Sequence, residues 1–317
     1  MSDDSQLNRS GVFFSIPLLF KWKKRKFRRY LPLYLLLIPT MTFIAVFSYF
    51  PALSAFYHST FNWHPGFQSN FTGLSNFVQA FQDNDFLSGF RRVMWLVLFG
   101  VTIAFATPFL VAQMLLAVRN QRIQSILKAL LIIPLAFPGV VTILLWGFMF
   151  DPTQGLINTT LHSLGVHGTI NWLGSPRLAL FSIMLIGFPW VAGLPFLVYL
   201  AGLQSIPPEL HEAARIDGAN AFHRILRIDV PLVMSQTRLL TILAVVNWMQ
   251  NIVPMMLLTN GGPSYATMVP VLWAFNQAFT VGQWGYACAL SVILFIIMLT
   301  VSLISSRLIK GTDAIQQ

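Results

Sequence analysis

Apolar residues gather into six long blocks, at 31–56, 93–118, 129–150, 178–203, 238–259 and 284–306. A helix of about 20 apolar residues matches the hydrocarbon thickness of a bilayer. Each block therefore predicts a membrane-spanning helix, and the chain as a whole predicts an all-α, polytopic membrane protein. Several blocks contain Pro, Gly or Gln. A span tolerates these where neighbouring helices resatisfy the freed backbone groups. Between blocks, the stretches 61–81 and 151–176 mix turn residues with aromatics. They predict ordered caps on the bundle rather than linkers.

Composition agrees, with 56% hydrophobic and 9% charged residues against about 25% charged in a soluble domain. Charge then sets orientation. Lys and Arg crowd the segment 21–30, the loop after the second block (Arg119, Arg122, Lys128), the loop after the fourth (Arg215, Arg224, Arg227) and the tail (Arg307, Lys310). The opposite loops hold Arg91, Arg92 and Arg177. The positive-inside rule places both termini in the cytoplasm. The resulting organisation is a basic N-terminal segment at 1–30, a transmembrane domain at 31–306 with a cytoplasmic loop at 204–235, and a short tail at 307–317. The apolar run 12–20 precedes the basic cluster, the reverse of signal-peptide order, and the stretch 11–20 fits the membrane interface. A net charge of +10 would suit nucleic acid, but the basic residues sit at the ends of apolar blocks and line no groove, so no nucleic acid is expected. The single cysteine, Cys288, allows neither a disulfide nor a thiolate metal site within the chain.

Other classes fall away on specific residues. The acidic residues lie outside the blocks or at their ends, whereas proton-driven carriers use an intramembrane Asp, Glu or His. No phosphate loop of the G-x-x-x-x-G-K-[ST] type is present, and no selectivity-filter run. His211–Arg215 begins like a zinc-protease motif, but arginine stands at the second ligand position and cannot coordinate. Asn70 and Asn158 open N-x-[ST] acceptors, a common match. The chain therefore predicts no enzyme activity, no metal and no cofactor of its own. Uphill transport would need energy from a partner.

The most polar of the helix-patterned segments is PPELHEAARIDGANAFHRILRIDVPL, 207–232. Pro207 and Pro208 suit a first helical turn, with Ser205 as cap. Gly218 ends that helix through a positive φ. Asn220 caps a second helix with Phe222, Ile225 and Leu226 on one face, and Pro231 stops it. Ala213 and Ala214 keep one side thin, and Glu212, Arg215 and Asp217 offer charges. The result is a small knob fit for docking, or else an amphipathic loop on the membrane surface. In the fifth block, Asn247, Gln250 and Asn251 fall at i, i+3, i+4 beside Trp248. Amides next to an aromatic face suit sugar hydroxyls and equally suit glue between helices.

The segment 212–231 resembles the cytoplasmic signature of ABC-importer permeases, E-A-A-x-x-x-G followed by I-x-L-P. Glu212, Ala213, Ala214, Gly218, Ile228 and Pro231 match, with Val230 in place of Leu. The stretches LTNGGP at 258–263, FTGLSNF at 71–77, IPLAFP at 133–138 and QSIPPELHEAARIDGA at 204–219 are similar to the carbohydrate-importer permeases, of the kind resembling the maltose transporter's larger permease without its periplasmic insertion. The resemblance covers nearly the whole chain. It implies the type I importer permease fold in the bacterial inner membrane. It also implies a coupling helix in which Glu212, Ala213, Ala214, Arg215, Asp217 and Gly218 meet an ATPase. The implied partners are a second homologous permease, two ATP-binding subunits that hold ATP and Mg, an extracytoplasmic solute-binding protein and a carbohydrate substrate within the lipid bilayer. By the same resemblance Gly187, Trp190 and Asn251 fall at sugar-contact positions. Leu135 and Gly139 replace polar contacts, and Trp248 replaces an amide. Import of glycerol phosphodiesters or polyols by a related permease, or a stand-alone carrier or channel, are the alternatives.

Overall fold

The computed structural model describes Tyr30 and residues 34–191 and 193–308. The basic segment 1–30 (apart from Tyr30), the interfacial stretch 11–20 and Lys310 lie outside the described residues. The chain divides into two units, residues 1–54 and 55–317. Apart from Tyr30, the described part of the first unit belongs to helix α1, Tyr34–His58, whose apolar window has none of its residues buried.

The second unit begins with the end of α1, a two-stranded antiparallel hairpin, and helix α2. The strands are β1, Phe61–Asn62, and β2, Asn70–Phe71, in register Phe61 to Phe71; α2 is Ser75–Gln82. Asn76 pins this cap to the chain, its Nδ2 donating to the carbonyls of Ser59 (2.9 Å) and Phe61 (3.0 Å).

Helix α3, Asn84–Ala117, has 34 residues and is about 51 Å long at 1.5 Å per residue. It starts earlier than the apolar block at 93 because Asp83 caps it. Asp83 Oδ1 accepts from the backbone N–H groups of Asp85 and Phe86, both at 3.0 Å, which satisfies two of the orphan donors of a helix start. Its Oδ2 accepts from Trp273 Nε1 at 2.8 Å and Tyr286 Oη at 2.7 Å. One carboxylate thus ties the head of α3 to two distant segments. Arg91 and Arg92 therefore lie within α3 rather than before it, and Arg92 donates to the Met268 carbonyl at 3.1 Å.

The third apolar block is not one straight helix. Helix α4, Gln121–Ile132, tightens into a 3₁₀ turn at Ile133–Ala136. Helix α5, Gly139–Met149, then leaves at 91°. Phe137 precedes Pro138 and is extended, with φ −81° and ψ 132°, because the proline ring disfavours a helical conformation in the residue before it. After α5, Asp151 Oδ1 accepts from Thr153 N, Thr153 Oγ1 and Gln154 N, each at 2.8 Å. These hydrogen bonds, that of Gln154 foremost, hold its carboxyl below the usual carboxylate range. Helix α6, Leu156–Ser163, follows. Asn158, an acceptor-sequon asparagine, is 2% exposed. Its side chain bonds the Pro152 and Ile170 carbonyls and the Trp172 indole, so it pins the loop.

The fourth block is two short helices, α7, Ala179–Leu185, and α8, Leu194–Gln204. The backbone between them turns through positive φ at Gly187 (84°), Trp190 (55°) and Gly193 (117°). In the loop that follows, helix α9 is Pro208–Ile216 and α10 is Ala221–Arg224, which runs on through a π turn, Ile225–Asp229, to Leu232. The fifth block is α11, Met234–Gln250, and α12, Val253–Leu258. Helix α13, Pro270–Asn276, leads to α14, Trp284–Leu308, the sixth block.

Among the described residues, four helices are long and apolar enough to cross a membrane, and the bent pair α4–α5 makes a fifth candidate. The all-α reading holds, while the third and fourth expected spans are broken at proline and glycine.

Three apolar clusters hold the second unit together. One joins the far half of α3 to α8 and α11 through Phe109, Leu115, Phe196, Tyr199 and Leu240. The next joins the near half of α3 to α7, α11 and α12 through Leu96, Ile183, Val245 and Met255. The last packs α2 and the head of α3 on α13 and α14 through Ala80, Phe86, Ala274 and Leu290.

Candidate functional site

Where α3, the break between α7 and α8, and α11 meet, they line an open cavity of about 620 Å³. Gly100, Ile103, Ala104 and Pro108 of α3 line one side, Gly187, Trp190, Leu194 and Pro195 another, and Leu240, Leu243, Ala244, Asn247 and Trp248 the third. Among the described residues, no Lys, Arg, Asp, Glu or His lines it. The chain builds this concavity by removing helix where a helix would fill it. Small residues on α3 hollow the wall, and the interrupted span presents a loop.

Two tryptophans frame the cavity, joined by Phe99. The Phe99 ring meets Trp190 edge-on at 5.4 Å and Trp248 edge-on at 6.3 Å. Such edge-to-face pairs favour a fixed ring orientation. Trp190 occupies left-handed backbone, φ 55°, at about 1–2 kcal/mol for a side-chain-bearing residue. Its indole Nε1 donates to the Ile186 carbonyl at 3.1 Å, and Phe188 packs edge-on at 5.0 Å. A strained residue held by several contacts marks a place where a particular shape is required. Trp248 lies directly on Gly100, where any Cβ would overlap the indole.

Of the substrate residues expected from sequence, Gly187, Trp190, Asn247 and Trp248 come together on the cavity wall. Gln250 is exposed and outside it. Asn251 leaves the helix altogether, with φ −76° and ψ 103°, and its Oδ1 accepts from Val253 N at 3.2 Å. The expected i, i+3, i+4 amide face therefore ends at Gln250, because Asn251 turns out of the helix and its side chain binds the backbone at the start of α12. Gly100, Ile103, Ala104 and Pro108 were not expected at the site. Their only sequence signal is a run of small residues and a proline inside an apolar block.

The segment 204–235 forms the expected knob. Pro207 caps α9 without a side-chain bond, and Ser205 instead closes the preceding helix, its Oγ donating to the Gly202 carbonyl at 2.7 Å. Gly218 takes φ 76°, and Ala219 N closes back on the Ala214 carbonyl at 2.9 Å, a glycine-dependent helix end. Asn220 Oδ1 accepts from His223 N at 2.8 Å, starting α10. Pro231 does not stop that helix. The wider π turn before it gives room for the proline ring, and helix continues to Leu232. On the outside, Glu212, Ala213, Arg215, Asp217 and Gly218 are exposed, beside Ile216 and Phe222 at 86% and 67% exposure. Ala214 is 7% exposed. It faces the knob's own interior, so the thin outward side rests on Ala213.

Sequence reasoning missed what holds the knob. Asp229 is 1% exposed. Its Oδ1 lies 2.8 Å from His211 Nε2 of α9. Its Oδ2 accepts from Gln113 Nε2 of α3 at 2.8 Å and stands 3.6 Å from Arg224 Nε of α10. A buried carboxylate persists only when paired and hydrogen-bonded, and three elements supply the pairing.

Comparison with known proteins follows this geometry. The family described as binding-protein-dependent transport system inner membrane component matches residues 109–311. The trehalose/maltose transport system permease protein MalF of Thermococcus litoralis is 31% identical over 291 residues, covering 89% of this chain and 94% of that one. The sn-glycerol-3-phosphate transport system permease protein UgpA of Yersinia pestis is 32% identical over 283 residues, covering 87% and 93%. The diacetylchitobiose uptake system permease protein NgcF of Streptomyces coelicolor is 32% identical over 274 residues, covering 81% and 76%. Among solved structures, a bacterial ABC transporter involved in import of the acidic polysaccharide alginate aligns with a TM-score of 0.77 at 22% identity, covering 91% of this chain and 98% of that one. The chain is thus a multi-pass membrane protein of the binding-protein-dependent transport system inner membrane component family.

Proposed function

We propose that this chain is a permease subunit of an ATP-driven importer that moves a neutral carbohydrate across the cytoplasmic membrane by alternating access. The observation that carries the substrate class is the cavity. Two tryptophans and one amide line it, and among the described residues no charged side chain does. Apolar ring faces on sugars stack on indole, and Asn247 can both donate to and accept from hydroxyls. A phosphate or uronate would enter without a counter-charge, and an unpaired charge in such a site is strongly disfavoured. The names of the trehalose/maltose and diacetylchitobiose relatives support a sugar, and the uncharged wall favours a neutral one over glycerol phosphate or alginate.

A single amide is too few polar groups for a polyhydroxylated ligand. A second homologous permease supplies the facing half. Two ATPase subunits bind ATP and Mg, and the exposed face of α9 with Glu212, Ala213, Arg215, Asp217 and Gly218 docks on one of them. A solute-binding protein delivers sugar from outside. This chain performs no covalent chemistry. ATP-driven closure of the ATPases moves the knob, and the cavity opens to alternate sides.

The test is uptake into proteoliposomes holding the assembled complex, with a panel of labelled neutral oligosaccharides, polyols, a glycerol phosphodiester and a uronate oligomer. The expected result is ATP- and binding-protein-dependent uptake of a neutral sugar, reduced at least tenfold by Trp248→Ala. Flux with this chain alone would identify a stand-alone carrier or channel, and preference for an anion would overturn the substrate class.

A further inference from the structure

Of the three spans around the cavity, α8 and α11 are joined to the knob by continuous chain, at 205–207 and at 233. Helix α3 is not. Any motion of the knob reaches α3 through non-covalent contact alone. The polar part of that contact converges on Asp229, which touches α9 through His211, α10 through Arg224 and α3 through Gln113.

Positions along α3 give this contact its meaning. Gly100, Ile103, Ala104 and Pro108 line the cavity, and Gln113 follows on the same helix. Around it, Phe109, Ala112 and Leu115 are buried against α8 and α11. Pro108 interrupts the hydrogen-bond ladder between Gln113 and the cavity residues, and a proline inside a helix is a site of bending. A pull on Gln113 therefore acts on one side of a flexible point, with the cavity wall on the other.

We propose that Asp229 is the positioning residue through which displacement of the coupling helix is transmitted to α3, by the path His211, Asp229, Gln113 and Pro108. The proposal rests on the reading of α9 as an ATPase-docking helix. It goes beyond that reading by naming the internal link. A carboxylate suits the task because its two oxygens engage two helices at once, with hydrogen bonds stronger than those to a neutral acceptor. Apolar packing would let the same surfaces slide.

The experiment uses the assembled transporter in nanodiscs and reads three quantities: co-purification of all subunits, basal ATPase activity, and stimulation of ATPase by substrate-loaded binding protein. Asp229→Asn and Gln113→Leu are each expected to retain assembly and basal activity while losing stimulation at least tenfold. Their combination is expected to lose no more than either alone. Asp229→Asn together with Gln113→Glu exchanges acceptor and donor across the same contact, and is expected to recover at least half of the wild-type stimulation. A purely structural role would lower assembly and basal activity in step with stimulation and would show no recovery in the exchange variant, and that pattern overturns the proposal. So does stimulation within twofold of wild type in both single variants. Should Asp229→Asn fail to accumulate, Gln113→Leu on a different helix decides alone by the same thresholds. A wild-type complex without stimulated ATPase would overturn the importer reading and the link with it, whereas normal wild-type stimulation with unaffected variants overturns the link alone.

Discussion

Replacing Asp83 by Ala removes two functions of one side chain. The first is the cap on α3, held by two backbone N–H bonds at 3.0 Å, whose loss costs about 1 kcal/mol. The second is acceptance from Trp273 Nε1 and Tyr286 Oη at 2.8 and 2.7 Å. Hydrogen bonds to a charged acceptor contribute about 1.5–3 kcal/mol each. Asp83 is half-buried, so the lower figure applies, and Asp83→Ala should destabilise by about 4 kcal/mol in total. At about 2 °C per kcal/mol for a chain of this size, the unfolding midpoint should fall by about 8 °C. Tyr286→Phe removes a single bond and should lower it by about 3 °C. Adding Tyr286→Phe to Asp83→Ala should change little further, since the two share one interaction. The assay is thermal unfolding of the purified complex in one detergent at one pH, followed by intrinsic fluorescence. A midpoint for Asp83→Ala within 1 °C of wild type would show that this carboxylate does not tie α3 to α13 and α14.

Gly100→Val drives a side chain into the Trp248 indole, so uptake should fall at least tenfold with assembly unchanged; uptake within twofold of wild type would remove Trp248 from the site. Asn220→Ala deletes the cap on α10, costing about 1 kcal/mol, and should raise amide exchange at 221–224 about fivefold by mass spectrometry. Glu212→Lys reverses an exposed charge on the proposed docking face and should abolish uptake or subunit assembly; if both survive, the ATPase does not sit there.

The sequence carried the place of most apolar helices, though not the number of unbroken spans, because a span is a composition, readable at any position within it. It carried the knob because proline, glycine and asparagine each act locally there: Pro208 and Gly218 begin and end one helix through their own backbones, and Asn220 begins the next through its side chain. What it did not carry is where a span breaks. The bend before Pro138 and the interruption around Gly187, Trp190 and Gly193 read as tolerable residues in an apolar block, since only tertiary surroundings decide whether a proline or glycine is absorbed or opens the helix. The same limit hid Asp229. From sequence it is one more acid in a polar loop, and its burial comes from Gln113, more than 100 positions away. Asn251 failed differently: an amide at a helix end can cap or face a ligand, and local hydrogen bonding took it.

The gap between α7 and α8 also bears on how the cell handles this polypeptide before assembly. Peptide groups at 187–191 lack the regular ladder that hides backbone polarity from acyl chains, and hydrocarbon offers them no replacement partner. Without the second permease proposed above, this stretch would face lipid or draw water toward it. Synthesis without the companion subunit should therefore yield a short-lived product cleared by membrane proteolysis, and co-expression should lengthen its half-life without any change in its own residues.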